Sequence, residues 1–182
     1  MPKKRVKLGK YKTVFKGIFF SIKHAKAEWP SGKKGVFEIV ERPPSVIVLA
    51  IDSKKRLLLT REFRRKHGKI MWFLPAGRMD KKGESARQAA QRELREETGF
   101  KAKKLRFFHK SVVGNSIKWE VFSFIATGLE KAPLKGDEDE EIKVVPTPIS
   151  KAFKMVLEGK IEDEKIAFLI IKLYGKRKQL GL

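Results

Sequence analysis

The sequence predicts an α+β protein with an α/β/α sandwich, in which a mixed sheet lies between helices and a small antiparallel β subdomain precedes it. Two observations lead to this prediction. Strand-like runs stand on both sides of one long segment of helix-forming residues, and two further helical segments follow towards the end of the chain. The length of 182 residues suits one domain with a small extension.

The N-terminal segment alternates bulky apolar and polar residues and is interrupted by the turn-forming stretch "WPSGKKG". This pattern is typical of an antiparallel meander or hairpin. Pro43 and Pro44 then break the alternation and mark a junction. We therefore expect a β subdomain over residues 1–43 and the main domain over residues 44–182.

Three strands and a helix are expected next. "SVIVLAID" and "RLLLTREF" are separated by the polar turn "SKK", and a third strand, "MWFLPAG", ends at a proline and a glycine. Residues 85–98 are good helix formers, and Gly99 supplies a C-terminal stop.

The rest of the chain predicts a second group of strands and two helices. "KLRFFHKSV" and "KWEVFSFIATGL" are expected to pair as a hairpin through "GNSI", and "IKVVPTPI" is a further strand. We expect Ser150 to cap the helix "KAFKMVLEGK". The final helix, "DEKIAFLIIKLYGK", has an apolar face.

Charge and composition limit the classes of function. The 43 basic and 21 acidic residues give a net charge of +22, which favours anionic partners such as nucleic acid, an acidic membrane surface or a phosphorylated small molecule. A solubilising lysine-rich surface is the alternative.

No apolar run approaches the roughly 18 residues of a membrane helix, and no secretory signal is recognisable. The absence of cysteine excludes disulfides and thiolate metal sites, and we expect a cytoplasmic protein.

Three glutamates of the predicted helix form a candidate metal site. Glu93, Glu96 and Glu97 stand at positions i, i+3 and i+4, so they project from one face. Close carboxylates repel each other, and a hard divalent cation such as Mg²⁺ offsets that repulsion. The alternative is a solvated helix with ordinary ion pairs, such as Arg92 with Glu96 or Arg95 with Glu97.

The stretch "GRMDKKGESARQAAQRELREETGF" resembles the signature of the Nudix hydrolases. It has a glycine, a loop and a glutamate, and after seven residues the run "RELREETGF". The family usually has five residues between Gly77 and Glu84, whereas this chain has six. The extra residue is expected to bulge outward near "DKK" without moving the helix.

The resemblance implies a Nudix fold and a Mg²⁺-dependent attack of water on a pyrophosphate, with Mn²⁺ as a substitute. Such an ion would neutralise the substrate, polarise phosphorus and lower the pKa of a water molecule. Matched by position, the implied metal ligands are Glu93, Glu96, Glu97, the Ala76 carbonyl and Glu84, of which Glu93 and Glu97 are also implied to be catalytic. Arg92 would hold the glutamates in place, and Gly77 and Gly99 would be structural.

Similarity to one Nudix branch extends over most of the chain. "GIFFSI", "FEIVERPPSVIVLAID", "LLLTREFRRKHGKIMWFLPAGRMD" and "EGKIEDEKIAFLIIKL" resemble the enzymes that hydrolyse ADP-ribose and other nucleoside diphosphate sugars. This resemblance implies a small-molecule nucleotide sugar as substrate. It also implies a homodimer in which residues 1–43 pack across, or are exchanged with, the second chain. The alternative for this segment is an ordinary edge sheet of a monomer.

The branch also implies roles for residues outside the signature. Arg61 and Arg64 are candidates for phosphate contact, with Arg64 preferred, because guanidinium groups suit phosphate oxygens. Arg78 and Met79, directly after Gly77, are further candidate substrate contacts. In this branch a glutamate from the loop before the last strand acts as general base, and Glu140 matches it by position, with Glu138 as the alternative.

The identity of the substrate stays open at this stage. Enzymes specialised for ADP-ribose carry a proline in an "SPG"-like turn, and the corresponding region here, "HKSVVGNSIKWEV", has none. ADP-ribose, GDP-mannose or a similar nucleotide sugar is therefore expected. The alternatives are a Nudix enzyme that acts on the 5′ end of RNA, in line with the basic charge, and a non-catalytic module that binds nucleotides or RNA. Nucleic acid is thus an allowed partner, but not the favoured one.

Overall fold

The computed structural model describes residues 5–136 and 142–182. It divides into two compact units. The N-terminal unit comprises Met1–Pro44 and Val112–Glu120, and the main unit comprises Ser45–Ser111 and Val121–Leu182.

Twelve strands and three helices are assigned within the described residues. The strands are β1 (Lys7–Leu8), β2 (Lys12–Lys16), β3 (Ser21–Glu28), β4 (Lys34–Glu41), β5 (Ser45–Ala50), β6 (Arg56–Arg64), β7 (Lys69–Phe73), β8 (Ala76–Arg78), β9 (Phe100–Val112), β10 (Ile117–Lys118), β11 (Glu120–Lys131) and β12 (Lys143–Pro148). The helices are α1 (Ala86–Thr98), α2 (Ile149–Leu157) and α3 (Glu164–Lys176), and a short 3-10 turn covers Arg65–His67.

The N-terminal unit is a five-stranded sheet in the order β1-β3-β4-β10, with β2 paired to β3. Strands β3 and β4 form a long antiparallel hairpin, and its turn is closed by a hydrogen bond from the Trp29 amide to the Lys33 carbonyl, 2.9 Å long. Strand β10 comes from much later in the chain and pairs with β4 in parallel. The expected β meander is therefore present.

The main unit contains two sheets. The first is mixed and has the order β8-β5-β11-β9, with β5 parallel to β11 and antiparallel to β8. All six residues of β5 are buried, as expected for a strand with neighbours on both sides. The second sheet has the order β12-β6-β7 and is antiparallel.

Helix α1 forms where the sequence predicts it. The Ser85 side chain accepts a hydrogen bond from the Gln88 amide, and the Gln88 side chain accepts one from the Ser85 amide, so both residues complete a capping box. The helix ends at Gly99, whose φ of +74° is a left-handed conformation that suits glycine. Leu94 and two alanines of α1 pack into one apolar cluster with residues of β5, β6, β9 and β11, which anchors the helix on the mixed sheet.

The two C-terminal helices pack against each other. The rings of Phe153 and Tyr174 stack between them, with centroids 4.2 Å apart. The expectation that Ser150 caps α2 is wrong, because β12 runs to Pro148 and the helix begins directly at Ile149 without a side-chain cap. In α3 the Asp163 carboxylate accepts hydrogen bonds from two backbone amides of the first turn.

The order of strands and helices confirms the α+β class predicted from the sequence. Among the described residues, no helix has both the length and the apolar character needed to cross a membrane.

Candidate active site

The acidic face of α1 lines a pocket of about 400 Å³ in the main unit. Glu93, Glu96 and Glu97 contribute from the helix, and Gly77 and Arg78 contribute from β8. The three glutamates singled out in the sequence are therefore brought together at one concave surface.

The Arg92 guanidinium lies at the centre of this acidic group and forms hydrogen bonds to several of its carboxylates. Its Nε donates to Glu84 Oε1 at 2.8 Å, and its Nη1 donates to Glu93 Oε1 at 2.6 Å and to Glu96 Oε2 at 2.9 Å. Its Nη2 donates at 2.9 Å both to Glu84 Oε2 and to the Arg78 carbonyl. One side chain thus bonds three carboxylates and the backbone of β8, which ties the helix to the strand.

The electrostatics follow from these bonds. The hydrogen bonds that Arg92 donates to Glu84 raise the pKa of Arg92, burial opposes the shift, and Glu93 and Glu96 add to it. Arg92 therefore stays charged at any accessible pH and offsets part of the repulsion among the carboxylates. The Arg92–Glu96 ion pair that the sequence offered as an alternative is present, but it is one bond of a larger network.

Gly77 leaves room for the Glu93 carboxylate. A Cβ atom at Gly77 would lie 2.0 Å from Glu93 Cδ, far inside van der Waals contact. Glu93 itself is only 8% exposed. A side chain at position 77 would therefore displace the Glu93 carboxylate from its hydrogen bond with Arg92.

The donor set fits a hard divalent cation, because it consists of carboxylate oxygens and backbone groups. Glu97 Oε2 accepts a hydrogen bond from the Ala76 amide at 3.2 Å, which places the Ala76 peptide beside the glutamates. Within residues 5–136 and 142–182, no three acidic or histidine side chains are arranged to hold a metal ion. Arg92 bonds one oxygen of Glu93 and one of Glu96, and the Ala76 amide bonds one of Glu97, so a cation would share these carboxylates with their present partners.

The loop between Gly77 and Glu84 has six residues. It closes through a turn in which the Glu84 amide bonds the Lys81 carbonyl at 3.1 Å, and Gly83 has a φ of +79°. The side chains of Asp80 and Lys81 also line the pocket. The sequence analysis named Arg78 and Met79 of this loop as substrate contacts but missed Asp80 and Lys81, although their position shortly after Gly77 was a signal that they border the site.

The arginines predicted to contact phosphate lie on β6 and do not line this pocket. Arg61 stacks over Trp72, with its Cζ 5.1 Å from the ring centroid, and Arg64 lies 4.3 Å from the ring centroid of Phe73. Arg64 also pairs with Glu62, which is 5% exposed, at 2.5 Å. Sequence reasoning missed this buried glutamate, although its i, i+2 spacing from Arg64 puts both on one face of the strand.

The other expected site residues have different positions. Met79 packs partly buried against the apolar cluster beneath α1, which is a core environment. Glu140 and Glu138 fall within 137–141, outside the described residues. The described neighbours of that segment, Gly136 and Ile142, both line the pocket.

A family model of the NUDIX domain matches residues 41–167, a range that includes α1, Arg92 and the whole pocket. The chain belongs to the Nudix family. The predicted Nudix fold and the predicted branch are confirmed, and the protein is a hydrolase that acts on pyrophosphate bonds.

Relatives with assigned activities cover most of this Nudix chain. An ADP-ribose pyrophosphatase of Bacillus subtilis (strain 168) is 33% identical over 86% of each chain. A GDP-mannose pyrophosphatase of Salmonella paratyphi B (strain ATCC BAA-1250 / SPB7) is 30% identical over 73% of this chain and 74% of its own. A crystal structure of an ADP compounds hydrolase superposes with a TM-score of 0.84 at 26% identity, and covers 97% of this chain and 96% of that one.

Proposed function

We propose that this Nudix protein hydrolyses the pyrophosphate bond of nucleoside diphosphate sugars, to a nucleoside monophosphate and a sugar phosphate, with Mg²⁺ as its metal. The observation that supports this proposal is the gathering of Glu93, Glu96 and Glu97 at one pocket beside Gly77. A pyrophosphate is itself an anion, so this acidic pocket can accept it only together with cations. The relatives named for ADP-ribose and GDP-mannose support a nucleotide sugar as substrate.

We assign the metal to Glu93, Glu96 and Glu97, with Glu84 and the Ala76 carbonyl as further ligands. When bound, Mg²⁺ or Mn²⁺ would polarise phosphorus and make water more acidic. Arg92 holds Glu93 and Glu96 in fixed positions through its 2.6 Å and 2.9 Å hydrogen bonds, so we give it a positioning role.

A general base is needed to take a proton from the attacking water. We assign this role to Glu140, with Glu138 as the alternative, because the pocket is lined by Gly136 and Ile142 on the two sides of this segment. The proton leaves water for a carboxylate oxygen, water oxygen bonds to phosphorus, and the phosphoanhydride bond breaks.

Of the proposed substrate contacts, Arg78 has the strongest support because it lines the pocket. Arg61 and Arg64 remain proposed phosphate contacts, and their buried Nε atoms have no hydrogen-bond partner among the described residues. Arg64 would have to leave Glu62 in order to reach a phosphate. Met79 remains a proposed apolar contact, but it would have to leave the apolar cluster beneath α1 to reach the substrate.

The decisive experiment is a substrate panel with product identification. ADP-ribose, GDP-mannose, other nucleoside diphosphate sugars and 5′-triphosphorylated RNA are incubated with purified protein and Mg²⁺ or Mn²⁺, and products are separated by anion-exchange chromatography. We expect metal-dependent release of a monophosphate and a sugar phosphate, lost in Glu97→Gln and retained in Glu130→Gln. Glu130 is a suitable control because it pairs with Lys103 on the surface. A folded protein that turns over none of these sugars would refute the proposal, and turnover of RNA alone would favour an RNA 5′-pyrophosphohydrolase.

We also propose that the protein is a cytoplasmic homodimer that associates through its N-terminal unit. Apolar side chains are exposed together around β2 and the segment that follows it: Val14, Phe15, Ile18, Phe19 and Phe20. Ile18 is 90% exposed, which is costly for an isoleucine in water. Light scattering after size exclusion tests this: Ile18→Ser together with Phe19→Ser should convert a dimer into a monomer, whereas a monomeric wild-type protein would exclude the interface.

A further inference from the structure

Strand β9 carries a row of cations at the end of the mixed sheet, where it is the last strand in the order β8-β5-β11-β9. Lys101, Lys104 and Arg106 are exposed and span about 17 Å of extended chain. None of the three has an acidic partner among residues 5–136 and 142–182, whereas Lys103, in the same run, pairs with Glu130 at 2.6 Å. These three positive charges are therefore available to an external anion.

An aromatic cluster with a further cation continues this row. The rings of His109 and Phe168 lie with centroids 4.9 Å apart, and Lys172 Nζ is 2.9 Å from His109 Nδ1. The same Nζ lies 5.1 Å from the ring centroid of Phe108 and 5.8 Å from that of Phe168. Phe168 is 46% exposed, so part of its ring faces solvent.

The Lys172 ammonium group contacts aromatic rings rather than a carboxylate, since no acidic side chain in the described part of the chain pairs with it. Burial and the nearby Lys172 charge both lower the pKa of His109. At neutral pH the His109 ring is therefore uncharged, and its Nδ1 accepts the hydrogen bond from Lys172. The cluster thus presents one ammonium group and partly exposed ring surfaces, and none of the described acidic side chains compensates its charge.

We propose that single-stranded nucleic acid binds along this β9–α3 surface, defined as Lys101, Lys104, Arg106, His109, Phe168 and Lys172. The row of cations suits a chain of phosphates, and exposed rings beside it suit unpaired bases, which stack on aromatic side chains. Lysines on an edge strand also discourage pairing between sheets, but that role requires no neighbouring aromatic cluster. The ligand is additional to the nucleotide sugar and does not depend on hydrolysis.

The arrangement of the cations along one strand favours a polynucleotide over an acidic membrane surface. Three cations without an acidic partner in the described part of the chain follow one strand, and the ring cluster lies farther along the same strand, so charge and stacking surface are arranged in sequence. A membrane surface would call for apolar tips that project beyond the cations. Phe168 is instead half-buried against His109, and the exposed ring of Phe107 on β9 packs edge-on against Phe124.

Fluorescence anisotropy with labelled oligo(dT) of about 20 nucleotides tests the proposal, across salt from about 0.05 to 0.2 M. Binding is plotted as the logarithm of the association constant against the logarithm of salt concentration. The triple variant Lys101→Gln, Lys104→Gln, Arg106→Gln should reduce the magnitude of this slope by about 2, since each phosphate contact to a single strand contributes about 0.7. At 0.1 M salt the loss of affinity should be on the order of 100-fold. The matched control replaces Lys26, Lys33 and Lys34, which are exposed cations of the N-terminal unit, and so changes net charge equally.

The aromatic part of the surface has its own test. Phe168→Ala should weaken binding about tenfold without changing the salt slope, because stacking is not an ionic contact. A single strand should bind more tightly than the same length of duplex, in which the bases are paired. Glu97→Gln should bind oligo(dT) like the wild-type protein, which separates this surface from the hydrolytic site, and thermal melting checks that each variant is folded.

Three outcomes would overturn the inference. Equal losses in the β9 triple variant and in its control would mean that net charge alone attracts the oligonucleotide. Unchanged affinity in Phe168→Ala and equal affinity for duplex would remove the stacking role. Tighter binding to phosphatidylserine-containing vesicles than to oligo(dT), lost in the β9 triple variant, would assign the surface to membranes instead.

Discussion

Replacement of Gly77 by alanine tests whether the close contact between β8 and α1 sets the geometry of the acidic pocket. The added Cβ would lie 2.0 Å from Glu93 Cδ and 2.1 Å from Glu93 Oε1. Ordinary contacts between such atoms need at least about 3.4 Å, so the carboxylate or the β8 backbone must move by more than about 1 Å.

Both activity and stability should respond. A displacement of about 1 Å in a catalytic group can cost about 100-fold in rate, and overpacking of a buried site costs about 1–3 kcal/mol of unfolding free energy. We therefore expect Gly77→Ala to lower kcat by about 100-fold and to lower the urea midpoint. The measurements are Mg²⁺-dependent hydrolysis of ADP-ribose or GDP-mannose and urea unfolding followed by circular dichroism.

Gly175→Ala is the matched control. Gly175 lies in α3 with no atom within 4 Å of an added Cβ, so alanine there should leave kcat unchanged and raise stability by about 0.5–1 kcal/mol. Glu93→Asp in the Gly77→Ala background shortens the clashing side chain and should restore part of the stability but not the activity. Normal kcat and normal stability in Gly77→Ala would refute the argument that a side chain at position 77 displaces Glu93 and disturbs the pocket.

Three further predictions concern charge. Arg92→Ala should lose about 3–5 kcal/mol of unfolding free energy, because it leaves three carboxylates without their guanidinium partner. Mg²⁺ should then raise the Tm of this variant more than the Tm of the wild-type protein. An equal rise in Tm in both proteins would contradict this prediction. Glu140→Gln should lower kcat by about 100-fold or more while Glu138→Gln stays near wild type, and the reverse pattern in the same hydrolysis assay would move the base to Glu138. For Asp52, burial raises the pKa, but hydrogen bonds from Arg56 and Lys54 outweigh it and leave the pKa below its ordinary value of 3.8. The contribution of Asp52 to stability is therefore present above pH 3.8 and is lost as the pH falls through its lower folded pKa. Asp52→Asn should cost about 1–2 kcal/mol at pH 7 in urea unfolding, and this cost should shrink progressively below pH 3.8.

Local signals in the sequence predicted the helix that carries the site. The capping box at Ser85 and the left-handed Gly99 bound α1 at the predicted ends, and the i, i+3, i+4 spacing places three glutamates on one face. These features depend on residues within one or two turns, so they can be read from the chain alone. The predicted cap at Ser150 was wrong because it depended on a distant segment: α2 starts where β12 stops pairing with β6.

Sequence alone thus determined the family, the main secondary structure and the acidic face of α1. Tertiary structure decided that Arg92 bonds Glu84 and the Arg78 carbonyl, and that the Arg64 guanidinium pairs with Glu62 rather than lining the pocket. The physical reason is distance along the chain. Helix caps and spacing act through the backbone over a few residues, whereas contacts between distant segments depend on strand register and on which side chains fill the space between β8 and α1.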